Sequence, residues 1–144
     1  MKTLSLLLIA LIVFCSSCTS TKNALSSATI VGKYWKLVEV NGTNVAALQN
    51  SKEPFIIFSA VDERISGNAG CNNMVGGFRI SEGNHIKISQ IGTTRMLCED
   101  MTIERQFLAA LPEANTFIVE ANRMQLRDIG GKVVATFELG NVKG

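Results

Sequence analysis

The stretch ISGNAGCNNMVGGF, residues 65–78, places four glycines within positions 67–77, around a cysteine at position 71. Glycine tolerates positive φ angles and lets two backbones approach closely, so the chain can turn sharply on both sides of Cys71, Asn72 and Asn73. A phosphate-binding loop is excluded, because such a loop needs a Lys-Ser or Lys-Thr pair after its last glycine. We therefore interpret this stretch as a structural turn.

Strand-like runs recur along the chain and are separated by Gly, Asn and Pro residues. Asn41-Gly42 suits a type I′ turn, and Pro54 should stand at the start of its strand because it has no N–H group for a ladder hydrogen bond. Alternating apolar and polar residues in the last run predict one buried face. The predicted strands are 34–40, 54–58, 64–67, 76–80, 85–89, 116–120, 123–128 and 132–139.

The segment 99–110 does not show this alternation of apolar and polar residues. Its apolar residues recur every three or four positions from Ile103 onward, as on one face of a helix, and Pro112 is expected to end it. Glu104 and two earlier acidic residues lie where the helix dipole favours anions. About eight short strands and one helix predict a mostly β (α+β) fold: a small antiparallel β-barrel or strongly curved sheet, with the helix packed over an open side.

The N-terminus differs in character from the rest of the chain. Lys2 is followed by an apolar run, Leu4 to Phe14, which is too short to span a bilayer but matches the central region of a secretory signal. The following residues are small and polar, and they cannot bury enough surface to offset their chain entropy. We predict a lipoprotein signal peptide at 1–17, a flexible tether at 18–30 and one folded domain at 31–142.

The sequence FCSSCTST, residues 14–21, offers two cysteines for lipidation. Lipoprotein signal peptidase cuts before a diacylated cysteine that follows small residues; Cys18 fits this pattern after Ser16-Ser17, whereas Cys15 follows the bulky Phe14. The alternative is an ordinary signal peptidase site. Acyl chains on Cys18 would hold the domain at a membrane. No acidic residue follows directly, which favours the periplasmic face of the outer membrane in a bacterial cell envelope.

With Cys15 removed and Cys18 lipidated, Cys71 and Cys98 remain as the pair of the mature domain. In an oxidising compartment a Cys71–Cys98 disulfide would fix the glycine-rich turn to the start of the helix. Arg95, in the run TTRMLC (93–98), should then lie near the disulfide and the turn. We take Asn72, Asn73, Thr94 and Arg95 as a possible binding surface.

Composition and other motifs restrict the alternatives. A net charge of +2 over 144 residues, with no long basic run, argues against a nucleic-acid partner. Met74, Met96 and Met101 lie close in sequence to the two cysteines, so a Cu(I) site is an alternative. His85 is the lone histidine, and it is more typical of a solvated turn than of a general base. We predict no catalytic residue, no metal site and no cofactor.

Several of these residues also carry a resemblance. Trp35, the run SGNAGCNNMVGGF (66–78), TTRMLC (93–98) with the helix that follows it, and the final Leu-x-Asp-x-x-Gly hairpin resemble the META domain family, which includes HslJ-like bacterial heat-shock lipoproteins. The resemblance extends over 31–139. It implies a compact antiparallel β-barrel-like domain with one helix, an exported and often lipid-anchored protein, and a Cys71–Cys98 pair. It implies no shared catalytic activity.

Together these features predict a noncatalytic envelope lipoprotein, held at the membrane through its N-terminal lipid and stapled by a disulfide. Its expected role is to bind an unidentified envelope protein or a small ligand during envelope stress, as a monomer. The alternatives are a Cu(I)-binding envelope protein and an enzyme whose site lies beside Arg95, Asn72 or His85.

Overall fold

A computed structural model describes residues 30–47 and 52–141. The predicted signal peptide, Cys18 and the tether up to residue 29 lie outside this range. Ile30, which the sequence analysis placed in the tether, is fully buried, and its carbonyl accepts a hydrogen bond from Trp35 Nε1 at 2.9 Å. The packed domain therefore includes Ile30, because burial of its aliphatic side chain stabilises the fold.

The described residues form nine strands and one α-helix, α1 (Thr102–Glu113). The strands follow one another around a single antiparallel sheet in the order β2-β1-β3-β4-β5-β6-β7-β8-β9, and β1 also pairs with β9, which closes the sheet into a ring. The strands are β1 (Tyr34–Val40), β2 (Thr43–Asn44), β3 (Phe55–Phe58), β4 (Arg64–Asn68), β5 (Asn73–Ser81), β6 (His85–Thr93), β7 (Thr116–Glu120), β8 (Arg123–Arg127) and β9 (Val133–Leu139).

The strand pairing around the ring is least extensive between β6 and β7, which share a single residue pair, His85 with Thr116. Helix α1 packs here against β6, β9 and β1, with Phe107 fully buried and its ring 5.8 Å from that of Phe137. The predicted mostly β fold, with a strongly curved sheet and one helix over an open side, is confirmed. The sheet forms a ring that the helix completes, so it is not strictly a barrel.

The bounds of the helix differ from the prediction. It begins at Thr102 rather than at position 99, and Asp100 precedes it as an acceptor for the Thr102 N–H at 2.8 Å. Pro112 lies inside the last turn and does not end the helix. Proline lacks an N–H donor, and the helix ends one residue later, where the Ala114 N–H donates to the Leu111 carbonyl oxygen at 3.3 Å.

Strand β5 begins at Asn73, three residues earlier than predicted, because Asn73, Met74 and Val75 also pair with β4. A Cβ atom on Gly76 would lie 3.1 Å from both the Ile65 side chain and the Ser89 carbonyl oxygen. Gly76 therefore allows close packing of neighbouring strands. The short strand β2 was not predicted, but the type I′ turn before it is confirmed, with φ of 48° and 80° at Asn41 and Gly42.

The core fills the inside of the ring. Inward-facing side chains of the strands meet the apolar face of α1, and the largest of them are fully buried: Trp35, Phe58, Phe107, Phe117 and Phe137. Among the described residues, no helix has the length and apolarity that a bilayer crossing requires.

Candidate functional site

The turn between β4 and β5, residues 69–72, is closed by two local hydrogen bonds. The Ala69 N–H donates to the Asn72 carbonyl oxygen, and the Gly70 N–H donates to Asn68 Oδ1, both at 2.8 Å. Gly70 has a φ of +127°, which a residue with a side chain rarely adopts. The sequence thus makes a tight turn as predicted, and this turn presents the next backbone N–H groups to helix α1.

Glu104 in the first turn of α1 accepts those N–H groups. Its Oε2 atom accepts from the backbone N–H of Cys71 at 3.0 Å and of Asn72 at 2.6 Å, while Oε1 accepts from Asn72 Nδ2 at 2.7 Å. Glu104 is only 4% exposed. A buried carboxylate requires such donors, because its charge has lost most of its contact with water. Glu104 therefore fixes the helix to the turn.

Asn72 extends these contacts to the segment before the helix. Its Oδ1 atom accepts from Thr94 Oγ1 at 2.8 Å and from the Met96 N–H at 2.7 Å. Its Nδ2 atom donates to the Met96 carbonyl oxygen at 3.2 Å as well as to Glu104. An amide side chain offers two donors and two acceptor positions, and all four are used. We call Asn72, Thr94, Met96 and Glu104 the amide clamp.

The predicted disulfide is confirmed and lies beside this clamp. Cys71 and Cys98 are bonded with a Cα–Cα distance of 6.1 Å, within the usual range for disulfides. Cys71 is buried, whereas Cys98 is exposed. The bond joins the turn to the segment at residues 94–101, which has no helix or strand of its own.

The same segment presents unpaired side chains to solvent. Leu97 is 97% exposed and Met96 is 44% exposed, although the backbone of Met96 is held at both its N–H and its carbonyl oxygen by Asn72. Arg95 is also exposed, and its side chain makes no hydrogen bond or ion pair with another described residue. The structure thus holds the backbone firmly, leaves Arg95 and Leu97 exposed and leaves Met96 partly exposed.

The predicted binding residues fall into two groups. Asn72 is buried inside the clamp, and Thr94 uses its hydroxyl both to donate to Asn72 and to accept from the Asn73 N–H at 3.1 Å. Asn73 and Arg95 are exposed. His85 lies at the far end of β6 from Thr93, about 27 Å away at the usual rise of a strand. It therefore does not join these residues.

The sequence pattern predicted for Glu104 only an interaction with the helix dipole, and its contacts with the turn were not predicted. A signal was present, since Glu104 stands beside Ile103 and three residues before Phe107, on the apolar stripe of α1. A carboxylate at a position that the helical period assigns to the core needs internal donors.

The methionines near the cysteines do not form a common group of free ligands. Met74 is 1% exposed and belongs to the core, Met96 is partly exposed, and both cysteine sulfurs are in the disulfide. No group of three or more His, Cys, Asp or Glu side chains converges on a possible metal position in the described part of the chain.

These features define a class: a helix-closed antiparallel ring whose glycine-rich turn is stapled to the start of its helix. The sequence profile of the META domain family matches residues 28–141, and the chain belongs to this family.

Solved structures share the fold. An NMR structure of a protein from Burkholderia xenovorans has a TM-score of 0.62 at 23% identity, with 79% of this chain and 86% of that chain covered. A second protein solved by NMR has a TM-score of 0.63 at 21% identity, over 83% and 99% of the two chains. A crystal structure of a DUF4847 family protein from Bacteroides vulgatus has a TM-score of 0.55 at 16% identity, over 77% and 94%. No curated protein sequence matches the chain.

Proposed function

We propose that this protein is a noncatalytic, lipid-anchored lipoprotein of the cell envelope that binds a protein partner through the loop at Arg95, Met96 and Leu97. The observation that carries the proposal is the contrast within this loop. Leu97 is 97% exposed, yet the backbone around it is fixed by a disulfide and by a fully used amide side chain.

That contrast points to binding rather than to stability. An exposed leucine side chain adds no buried apolar area to the fold. A loop that is already held in one conformation loses little conformational entropy when a partner binds to it. Leucine and methionine supply apolar area to an interface, and arginine is enriched at interface hot spots. The partner that fits is a protein with an apolar recess for Leu97 and an acidic group within reach of Arg95.

The lipid anchor rests on the N-terminal sequence. Cys18 follows two serines behind a short apolar run, and a tether of about twelve residues separates it from buried Ile30. Such a tether allows a domain to reach partners beside the membrane. We place the protein at the periplasmic face of the outer membrane and its role in envelope stress.

Nothing in the geometry favours the copper alternative, because a disulfide sulfur lacks the thiolate that would bind Cu(I). The enzyme alternative predicts a concave site beside Arg95, Asn72 or His85. The nearest carboxylate to Asn72 in its hydrogen-bond network is Glu104, whose two oxygens are engaged by three donors. This engagement suits a structural role.

Two variants of matched exposure test partner binding. Leu97→Ser and Ile129→Ser each remove one exposed aliphatic side chain, at 97% and 90% exposure. Ile129 differs from Leu97 because it lies in the β8–β9 turn, away from the disulfide in sequence. A photo-crosslinking residue is placed at exposed position 99, two residues from Leu97, in the full-length protein in stressed cells. We expect one crosslinked partner that Leu97→Ser loses and Ile129→Ser retains. Equal crosslinking in both variants would refute the docking role of the loop.

The anchor is tested separately with radiolabelled fatty acid. Labelling should disappear in Cys18→Ala and persist in Cys15→Ala, and label that persists in Cys18→Ala would exclude this anchor.

A further inference from the structure

A shallow pocket of about 360 Å³ lies on the outer face of the ring, and Leu97 is not among its lining residues. Phe55 and Ile57 of β3 form part of its floor. They face outward because they alternate along the strand with the inward-facing Ile56 and Phe58. Asn68 stands opposite Phe55 in the β3–β4 register. The period of two thus places an aromatic ring, an aliphatic side chain and an amide on one surface.

The aromatic part of the pocket is held rigidly. The ring of Tyr34 stacks on that of Phe55 with centroids 4.4 Å apart and an angle of 23° between the planes. The Tyr34 hydroxyl donates to Glu53 Oε1 at 2.9 Å. On another side, Gly140 lies so close that a Cβ there would come within 2.8 Å of Tyr34 Cδ1. Tyr34 therefore covers one face of the Phe55 ring and holds that ring in place at the pocket, which both residues line.

Polar groups surround this ring. Asn68 is 5% exposed and uses its Nδ2 atom to donate to Asn73 Oδ1 at 3.1 Å, which orients the Asn73 amide. The Nδ2 atom of Asn73 makes no hydrogen bond to another described residue, so its two donors are available. Lys52 and Glu53 also line the pocket and bring charges of opposite sign.

We propose that this pocket binds an uncharged pyranose ring, as one unit of an oligosaccharide, with the sugar face on Phe55 and a sugar oxygen accepting from Asn73 Nδ2. A pyranose has an apolar face of C–H groups and a rim of hydroxyls, which match an aromatic floor with amide donors at its edge. Glu53 is already paired with Lys36 Nζ at 2.8 Å, so it gives the pocket no preference for a cationic ligand.

The pocket is suited to binding and not to cleavage of the sugar. Most glycoside hydrolases place two carboxyl groups on either side of the bond that breaks. Among the described lining residues Glu53 is the single carboxylate, and it is engaged by the Tyr34 hydroxyl and by Lys36 Nζ at 2.8 Å. This inference does not rest on the docking of a protein at Leu97.

Calorimetric titration and saturation-transfer NMR test the proposal on the full-length protein in a detergent without a sugar headgroup. The probes are cellotriose and chitotriose, and the control ligand is sorbitol, which has hydroxyls but no pyranose face. We expect at least one trisaccharide to bind and sorbitol not to bind. Absence of binding by both trisaccharides at millimolar concentration would overturn the proposal.

Variants locate the site. Phe55→Leu keeps apolar volume but removes the flat ring, and we expect roughly tenfold weaker binding, the size of one aromatic contact. Asn73→Asp keeps the oxygen that accepts from Asn68 but removes the donors, and it should also weaken binding. Leu97→Ser should leave sugar binding unchanged while abolishing the protein crosslink. Unchanged affinity in a folded Phe55→Leu protein, judged by Trp35 fluorescence, would refute this site.

Discussion

Glu104 and Asn72 are 32 residues apart in the sequence and are joined by two hydrogen bonds, from the Asn72 N–H to Oε2 at 2.6 Å and from Asn72 Nδ2 to Oε1 at 2.7 Å. Asn72 in turn holds Thr94 and Met96. Two buried polar residues thus join the turn, the helix and the exposed loop. The position of Leu97 depends on this arrangement as well as on the disulfide.

Replacing Glu104 should destabilise the domain. Glu104→Ala leaves three buried donors without an acceptor, and we expect a loss of about 3 kcal/mol in the free energy of unfolding. Glu104→Gln keeps one carbonyl oxygen for the two backbone N–H groups and should lose less. Urea unfolding followed by the single tryptophan, Trp35, measures both. Glu113→Ala, at an exposed position on the same helix, is the control and should change stability by less than about 0.5 kcal/mol.

Asn72→Asp should produce a pH-dependent loss of stability. The new carboxylate would face Glu104 and would no longer donate to Met96, so one proton must be shared between the two acids. The folded variant then binds more protons than its unfolded chain, and its deficit relative to wild type should grow as the pH rises from about 4 to 7. Asn73→Asp is the exposed control. A deficit independent of pH would contradict the proposed contact.

Removal of the disulfide should loosen the loop that carries Leu97. The bond closes a separation of 27 residues, for which the chain-entropy relation gives about 3.5 kcal/mol of stability. We expect Cys71→Ser/Cys98→Ser to lose about this amount and to become sensitive to trypsin at Arg95. Intact mass before and after reduction checks the bond in the native protein. Equal protease resistance of the two forms would show that the amide clamp alone orders the loop.

Gly67 should tolerate no side chain. A Cβ at this position would overlap the Phe55 carbonyl oxygen and lie 3.0 Å from Met74 Cε, so the backbone would have to move. We expect Gly67→Ala to lose about 3 kcal/mol or more in the free energy of unfolding. Gly77→Ala is the matched control, since the nearest atoms there are at an ordinary 3.9 Å. Thermal unfolding of both variants measures the difference, and similar melting temperatures would contradict the packing argument.

Tyr34 should make the protein sensitive to alkali. Burial, followed by the hydrogen bond to Glu53 and the charge of Glu53, raises the pKa of Tyr34 from 10.0 to about 12. The unfolded chain loses this proton first, so the stabilisation is fully present below pH 10 and is lost as the pH rises from 10 to about 12. Tyrosinate absorbance reports this group alone, because the chain has one tyrosine. Tyr34→Phe should lack this part of the pH dependence of stability.

Much of the fold can be predicted from residues that are close together in the sequence. Backbone preference determines turns such as Asn41-Gly42, and the position of the apolar face determines the alternation in β9 and the helical spacing from Ile103 to Leu111. Short windows of sequence are therefore enough to predict these elements. The same windows missed the start of β5 at Asn73, because the pairing of Asn73 with Asn68 depends on the neighbouring strand.

The sequence by itself determined a mostly β domain with one helix and the pairing of Cys71 with Cys98. The tertiary structure alone decided how the ring closes, that Glu104 and Asn72 bind each other, and that Leu97 is left exposed while its backbone is held. The physical reason is distance along the chain. Propensity and periodicity act over a few residues, whereas a buried carboxylate finds its donors wherever the packed strands bring them.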